Sequence, residues 1–120
     1  MIKTKGVDIL VVDDEKKICE MFTKWLCAAG HRVKATLRGK KALSLVKKKH
    51  FDVVFLDIVM PGISAVEVLK KIRRISPETK VVIITGKLVD RSMRDKLRQK
   101  GASGFLQKPF KIEDITAITG

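Results

Sequence analysis

The feature that most restricts the fold is a set of three short apolar runs, each stopping at polar residues and each followed by a helix-spaced segment. Val7-Asp8-Ile9-Leu10-Val11-Val12 stops at Asp13-Asp14-Glu15, Val53-Val54-Phe55-Leu56 stops at Asp57, and Val81-Val82-Ile83-Ile84 stops at Thr85-Gly86. Such β-branched-rich runs, with little alternation, predict strands covered on both faces, as in a parallel sheet. Two weaker strands are expected at His31 to Thr36, with Val33 and Ala35 on one side, and at Ser103 to Gln107, around Phe105 and Leu106.

Between the strands, apolar residues recur at helical spacing. Ile18, Met21, Phe22, Trp25, Leu26 and Ala29 mark a first helix, with Asp14 as its expected N-cap and Gly30 as its stop. Gly39 to Lys49 reads as a second helix, with Ala42, Leu43 and Val46 inward. After the loop Met60-Pro61-Gly62, Ser64 can cap a third, which carries Ala65, Val68, Leu69, Ile72 and Ile75 and breaks at Ser76-Pro77. Val89, Met93 and Leu97 mark a fourth, closed by Gly101, and Ile112, Ile115 and Ile118 a fifth. Five strand–helix pairs in strict alternation predict an α/β domain, a parallel sheet with helices on both faces joined by right-handed crossovers.

A chain of 120 residues, 45% of them apolar, suits one compact domain. Residues 1–6 are expected to be a tail and 7–120 the domain. No apolar run approaches the roughly 20 residues that span a bilayer, and the start reads as no signal peptide, so a cytoplasmic location is expected. Cys19 and Cys27 fall in one helical segment, about 12 Å apart along its axis, too far for a disulfide. Two buried or half-buried free thiols are expected. His31 and His50 stand apart from the cysteines, and no zinc spacing is present.

In an open parallel α/β sheet, ligands bind beyond the carboxyl ends of the strands. At those ends stand Asp13 and Asp14, Asp57, Thr85 and, after the fifth strand, Lys108. Three carboxylates gathered there repel one another unless cations neutralise them. Lys108 supplies one charge, and a hard divalent ion with oxygen ligands, most naturally Mg2+, would supply the rest. Magnesium held by carboxylates serves phosphate chemistry, and a carboxylate can be the nucleophile that forms an acyl phosphate. Taken singly, each residue has a plainer reading: helix cap for Asp13 and Asp14, turn residue for Asp57, strand-end polarity for Thr85, core for Phe105, solvated charge for Lys108. Asp52 reads as a structural loop residue. The set together is what points to a site.

VVDDE (11–15), FLDIVMPG (55–62), ITG (84–86) and FLQKPF (105–110) resemble, in order and spacing, the receiver domain of two-component response regulators, and the resemblance spans essentially the whole chain. It implies a single flavodoxin-like, doubly wound domain with five strands in order 2-1-3-4-5 and five helices. It implies a phosphoacceptor, Asp57, that takes a phosphoryl group from a phosphohistidine of a sensor histidine kinase or histidine phosphotransfer domain. The chain would then be a signalling domain that catalyses only its own phosphotransfer and dephosphorylation. Asp14 would bind Mg2+ directly and Asp13 through water, with Asp57 and the backbone carbonyl of Val59 completing the protein ligands. Lys108 and Thr85 would contact the phosphoryl group, the Lys108-Pro109 bond would be cis, and Thr85 with Phe105 would form the switch. Homodimerisation or docking through the fourth helix, fifth strand and fifth helix, near Arg91, Arg94 and Lys111, is open, as is an effector domain in a longer parent protein.

Ser64-Ala65 replaces the Asp-Gly often found after MPG in this family. Val59 and Lys87 occupy positions that tend to influence dephosphorylation there, and Val59 cannot hydrogen-bond an attacking water. Slow self-hydrolysis is therefore expected, although Gly86 leaves the site open and pulls the other way. The net charge of +13, from 26 basic and 13 acidic residues, is atypical. Basic residues cluster at Lys40, Lys41 and Lys47 to Lys49, at Lys70, Lys71, Arg73 and Arg74, and at Arg91, Arg94, Lys96, Arg98 and Lys100. Solvated outer helix faces are the preferred reading, with an acidic partner or weak, salt-dependent nucleic-acid contact as the functional one. With no helix-turn-helix, stacking platform or zinc module, direct DNA binding is not expected.

Rival enzymes on similar folds fit poorly. A flavodoxin phosphate loop would be repelled by Asp13-Asp14-Glu15, Val59 stands where dehalogenase-type phosphatases carry a second Asp, and no Walker-type loop exists. The other rival is a basic interaction module without phosphotransfer; an inactive receiver would fit the same fold but would normally lack one of the site residues, and none is missing.

Overall fold

The computed structural model describes residues 6–59, 62–86 and 89–119. Met60, Pro61, Lys87 and most of the expected tail (1–5) lie outside the described residues. Five strands alternate with five helices: β1 (Asp8–Val12), α1 (Lys16–Ala28), β2 (Arg32–Thr36), α2 (Gly39–Lys48), β3 (Val53–Asp57), α3 (Ala65–Ile75), β4 (Lys80–Thr85), α4 (Arg91–Gln99), β5 (Gly104–Gln107) and α5 (Ile112–Thr119). All strand pairs are parallel, in the order β2-β1-β3-β4-β5. This is the flavodoxin-like, doubly wound order expected.

The three inner strands, β1, β3 and β4, are the most apolar because both their faces are covered. Leu10, Val12, Val54, Leu56, Val81 and Ile83 point to one side, where α2, α3 and α4 bring Leu43, Val68, Leu69, Ile72 and Leu97. Ile9, Val11, Phe55, Val82 and Ile84 point to the other, where α1 and α5 bring Phe22, Leu26 and Ile115. Phe22 packs in tilted contact with Phe55 and with Phe110, ring centroids 4.8 and 5.3 Å apart, tying α1 to β3 and to the segment before α5.

Chain reversals follow local chemistry. Ser64 Oγ accepts the Glu67 N–H and caps α3, and Asp90 caps α4 through the Met93 N–H. Gly30 and Gly101 close α1 and α4 at positive φ, a conformation costly for residues with a Cβ.

Some expectations need correction. The N-cap of α1 is Glu15, not Asp14, and no side chain caps it. Asp13 Oδ1 instead accepts the Glu15 N–H, which fixes the turn one residue later. Cys19 is buried, with its thiol 3.3 Å from the Asp13 carbonyl, but Cys27 is exposed: eight residues along a helix is more than two turns, so the thiols face different ways. Ala35 is exposed although Val33 is half-buried, because β2 is an edge strand paired only with β1. On α4 only Leu97 is buried. Met93 is 44% exposed, because this short helix touches the core through a single turn.

Candidate functional site

The polar residues that end β1, β3 and β4 come together because parallel pairing puts all three strand ends at one edge. Val12 pairs with Leu56 and Asp57 with Ile84, so Asp13, Asp57 and Thr85 each stand at the end of adjacent strands. All three are buried. Carboxylate oxygens of Asp13, Asp14 and Asp57 lie within 4.8 Å of one another, Asp14 on the exposed side.

Lys108 enters from the end of β5. Its N–H donates to the Thr85 carbonyl at 2.7 Å, its peptide with Pro109 is cis, and its ammonium reaches over the acids. Nζ lies 3.2 Å from Asp13 Oδ2, 3.8 Å from Asp57 Oδ2 and 3.0 Å from Glu15 Oε1. Burial alone would pull its pKa down, but the hydrogen bond to Glu15 and the nearby Asp13 and Asp57 charges outweigh it and hold the ammonium protonated above the usual lysine value.

Asp57 Oδ1 accepts the Val59 N–H at 3.1 Å. Burial, with a contribution from the Asp13 charge, outweighs that bond and the Lys108 charge and pushes Asp57 up to about 6. The site therefore carries more negative charge than Lys108 neutralises. Asp13 Oδ2 sits at ion-pair distance from the ammonium yet has no hydrogen-bond donor aligned on it, although it is fully buried. Clustered hard oxygens with an unsatisfied buried lone pair fit a hard divalent cation such as Mg2+.

Glu15 is a residue whose place the sequence reading missed. Its signal was its position in the acid run after β1, one helical turn short of the core-facing residues. Phe105 is half-buried against the α2–α3–α4 side of the sheet and paired with Ile83. The Arg94 and Arg98 guanidinia lie over its ring, 5.5 and 5.2 Å from the centroid. The i, i+4 spacing of these arginines was visible in the sequence, but the ring they cover was not. Asp52 is structural as expected: its carboxylate accepts the Asp8 N–H at 2.9 Å, and its own N–H donates to the Asp8 carbonyl at 2.8 Å.

The model of the response regulator receiver domain matches residues 9–119. Among curated proteins, the chain is 34% identical over 117 residues to the transcriptional regulatory protein TcrA of Mycobacterium tuberculosis, covering 96% of this chain and 45% of that protein. Among solved structures, it is similar to the chemotaxis protein CheY4 of Vibrio cholerae (TM-score 0.88, 30% identity, 94% of this chain and 95% of that one). It is also similar to the BeF3-activated DrrB receiver domain (TM-score 0.82, 34% identity, 94% and 93%). The chain spans less than half the length of the first curated relatives it matches. Among the described residues, no helix is long and apolar enough to cross a membrane. With its strand order, its acid cluster and a family match that runs almost end to end, the chain belongs to the response regulator receiver domain family, a family of signalling domains.

Proposed function

We propose that this domain accepts a phosphoryl group on Asp57 from a phosphohistidine of a sensor kinase or histidine phosphotransfer domain, and that the acyl phosphate switches an output surface. The observation that carries this reading is the position of the Lys108 ammonium, 3.2 Å from Asp13 and 3.8 Å from Asp57, over carboxylates within 4.8 Å of one another. A carboxylate oxygen of Asp57 would attack phosphorus as the P–N bond to histidine breaks, and the imidazole would leave with the electron pair and take up a proton. Lys108 would pair with the phosphoryl oxygens, and the Thr85 hydroxyl would hydrogen-bond them. Asp13, Asp14, Asp57 and the Val59 carbonyl would hold Mg2+. When bound, that ion supplies the positive charge that the carboxylates and an incoming phosphoryl group lack. Thr85 and Phe105 would read the phosphorylated state, and the domain would catalyse only its own phosphorylation and dephosphorylation.

The relatives named as transcriptional regulatory proteins support a cytoplasmic parent in which this domain, residues 7–120, controls an effector. Docking or homodimerisation through α4, β5 and α5 is favoured by the exposure of Met93 and Ile112 near that face.

The direct test is incubation with acetyl phosphate and Mg2+, followed by mass spectrometry. A gain of one phosphoryl group, mapped to Asp57 and absent without Mg2+, is expected. No gain with any small phosphodonor or cognate kinase, or a gain elsewhere, would overturn the proposal. Beryllofluoride should shift NMR resonances near Asp57 and Thr85, and Trp25 fluorescence offers a second readout.

A further inference from the structure

The sequence by itself favoured solvated helix faces as the reason for the positive charge and, for want of a DNA-reading motif, gave no expectation of direct DNA binding. The fold reveals how unevenly that charge is placed. The helices α2, α3 and α4 each carry four basic residues, against one acid in α3, one in α4 and none in α2. Twelve bases and two acids give this layer a net +10, in a chain of net +13. On the opposite face of the sheet, α1 carries three bases and one acid, and α5 two acids and no base. The opposite layer is thus neutral over its helices, and the two layers differ by most of the net charge of the chain.

Ordinary structural roles do not absorb these cations. Lys47, Lys48, Lys70, Lys71, Arg74 and Lys96 are exposed, and among the described residues none is in an ion pair. Last-turn bases such as Lys47, Lys48 and Arg74 do suit the negative end of a helix dipole. Lys40 and Lys41 stand at the opposite, positive end of α2, where cations are unfavourable, and α2 has neither an acidic N-cap nor a first-turn acid to offset them. Lys70 and Arg74 form a like-charged i, i+4 pair, which also costs stability.

The charge is continuous from helix to helix. An open cleft of about 310 Å³ joins the end of α2, at Lys47 to His50, to the end of α3, at Ile75 to Glu78. Arg73 of α3 lies against Gly101 at the end of α4. A basic band thus crosses the ends of three neighbouring helices.

We propose that the α2–α3–α4 layer is a docking surface for the phosphate backbone of duplex DNA, bound without reading sequence. A duplex presents about one negative charge per 1.7 Å, which suits a broad field of unpaired cations. Single-strand binding would call for exposed rings on which bases stack. The layer offers none: Phe51 is buried, and Phe105 lies beneath two guanidinia. A bilayer surface would call for an apolar stripe beside the cations, but only Met93 and Ile75 are exposed large apolar residues within these three helices. An acidic protein would need a pocketed anchor, whereas the cleft here is lined mainly by polar and charged side chains. This inference is independent of phosphoryl transfer and can be tested on the unphosphorylated chain.

The experiment is fluorescence anisotropy with a labelled duplex of about 20 base pairs and arbitrary sequence, across 50 to 200 mM salt. Micromolar binding at low salt is expected, falling on the order of 100-fold over that range if about four phosphates are neutralised. Replacing Lys47, Lys48 and Arg74 together by Gln should weaken binding at least tenfold. The matched set Lys16→Gln, Lys17→Gln and Lys24→Gln on α1 removes the same charge and should change it less than twofold. Equal losses from the two sets would reduce the effect to net charge and overturn the proposal. So would tighter binding to single-stranded DNA, to poly-glutamate or to phosphatidylserine vesicles than to the duplex, and so would no binding at low salt.

Discussion

The two ends of β1 each begin from a strand-end aspartate, and the fold treats them in opposite ways. At the start, Asp8 lies 2.9 Å from Arg32 and 3.1 Å from Lys49, and hydrogen bonds from these two cations lower its pKa to about 2. At the other end, five residues on, Asp13 shares one lysine with Asp57 and Glu15, and Asp57 is pushed up to about 6. The first end is a closed account of charge: two cations for one carboxylate, at the surface. The second is left short of positive charge and out of water. A fold that only needed stability would have no reason to gather carboxylates there, and the deficit is what the proposed cation and phosphoryl group would fill.

Several experiments would break or sharpen this contrast. Asp57→Asn should lower phosphoryl incorporation from acetyl phosphate at least about 100-fold while leaving the fold intact, since it removes the proposed nucleophile and a repelling charge together. Mass spectrometry and thermal melting would check both halves. Residual labelling at the wild-type rate would show that the deficit serves something else.

Lys108→Met should destabilise the metal-free protein by about 3 kcal/mol, because it leaves Asp13 and Asp57 buried with no cation near them. Urea denaturation measures this directly. If Asp57→Asn in the same chain restores most of the loss, the cause is charge and not packing.

Third in size is the pH dependence of the metal-free protein. A carboxyl whose folded pKa is raised to about 6 binds its proton more tightly folded than unfolded. The wild type should therefore gain stability as the pH falls from about 7 to about 4, on the order of 2 kcal/mol, and Asp57→Asn should flatten that profile. Excess Mg2+ should also flatten it. At tenfold over its dissociation constant, the ion should raise stability at pH 7 by about 1.4 kcal/mol, and Asp14→Asn should reduce the gain.

Asp8 should show the reverse sign and the smallest effect. Its lowered pKa contributes stability that is present above about pH 4 and lost as the pH falls through about 2. Arg32 and Lys49 are 60% and 53% exposed, so solvent screening should hold the contribution to about 1 kcal/mol or less. Asp8→Asn, followed through acid unfolding, would measure it. A separate kinetic check concerns Val59, which is 64% exposed beside Asp57, the proposed phosphoacceptor. Val59→Asn should speed decay of the phosphorylated protein several-fold, and an unchanged decay rate would remove the proposed reason for slow hydrolysis.

Much of this molecule was readable from residue order. Continuous apolar runs such as Val53 to Leu56 mark strands covered on both faces, because only a parallel sheet between helix layers hides every side chain of such a run. Ser64, Gly30 and Gly101 marked helix ends by local chemistry. Less was readable at α4 and β2. Met93 and Ala35 satisfy the period of a helix or a strand, but whether such a face is covered depends on what packs there, and an edge strand or a one-turn contact leaves it open. The cap of α1 was misplaced by one residue because Asp13 turns its carboxylate back onto the Glu15 N–H, a choice made by the crowded strand end.

The sequence by itself determined the alternation of elements, and with it the sheet, its two helix layers and the edge where Asp13, Asp57, Thr85 and Lys108 had to meet, because backbone periodicity and burial are encoded locally. Only the tertiary structure decided how charge is shared. It brought Glu15 to Lys108, placed two arginines over Phe105, balanced Asp8 while leaving Asp57 short, and sorted most of the excess positive charge onto one face. Those outcomes depend on distances of a few ångströms between residues far apart in the chain, and Coulomb interactions at that range are invisible to any local pattern.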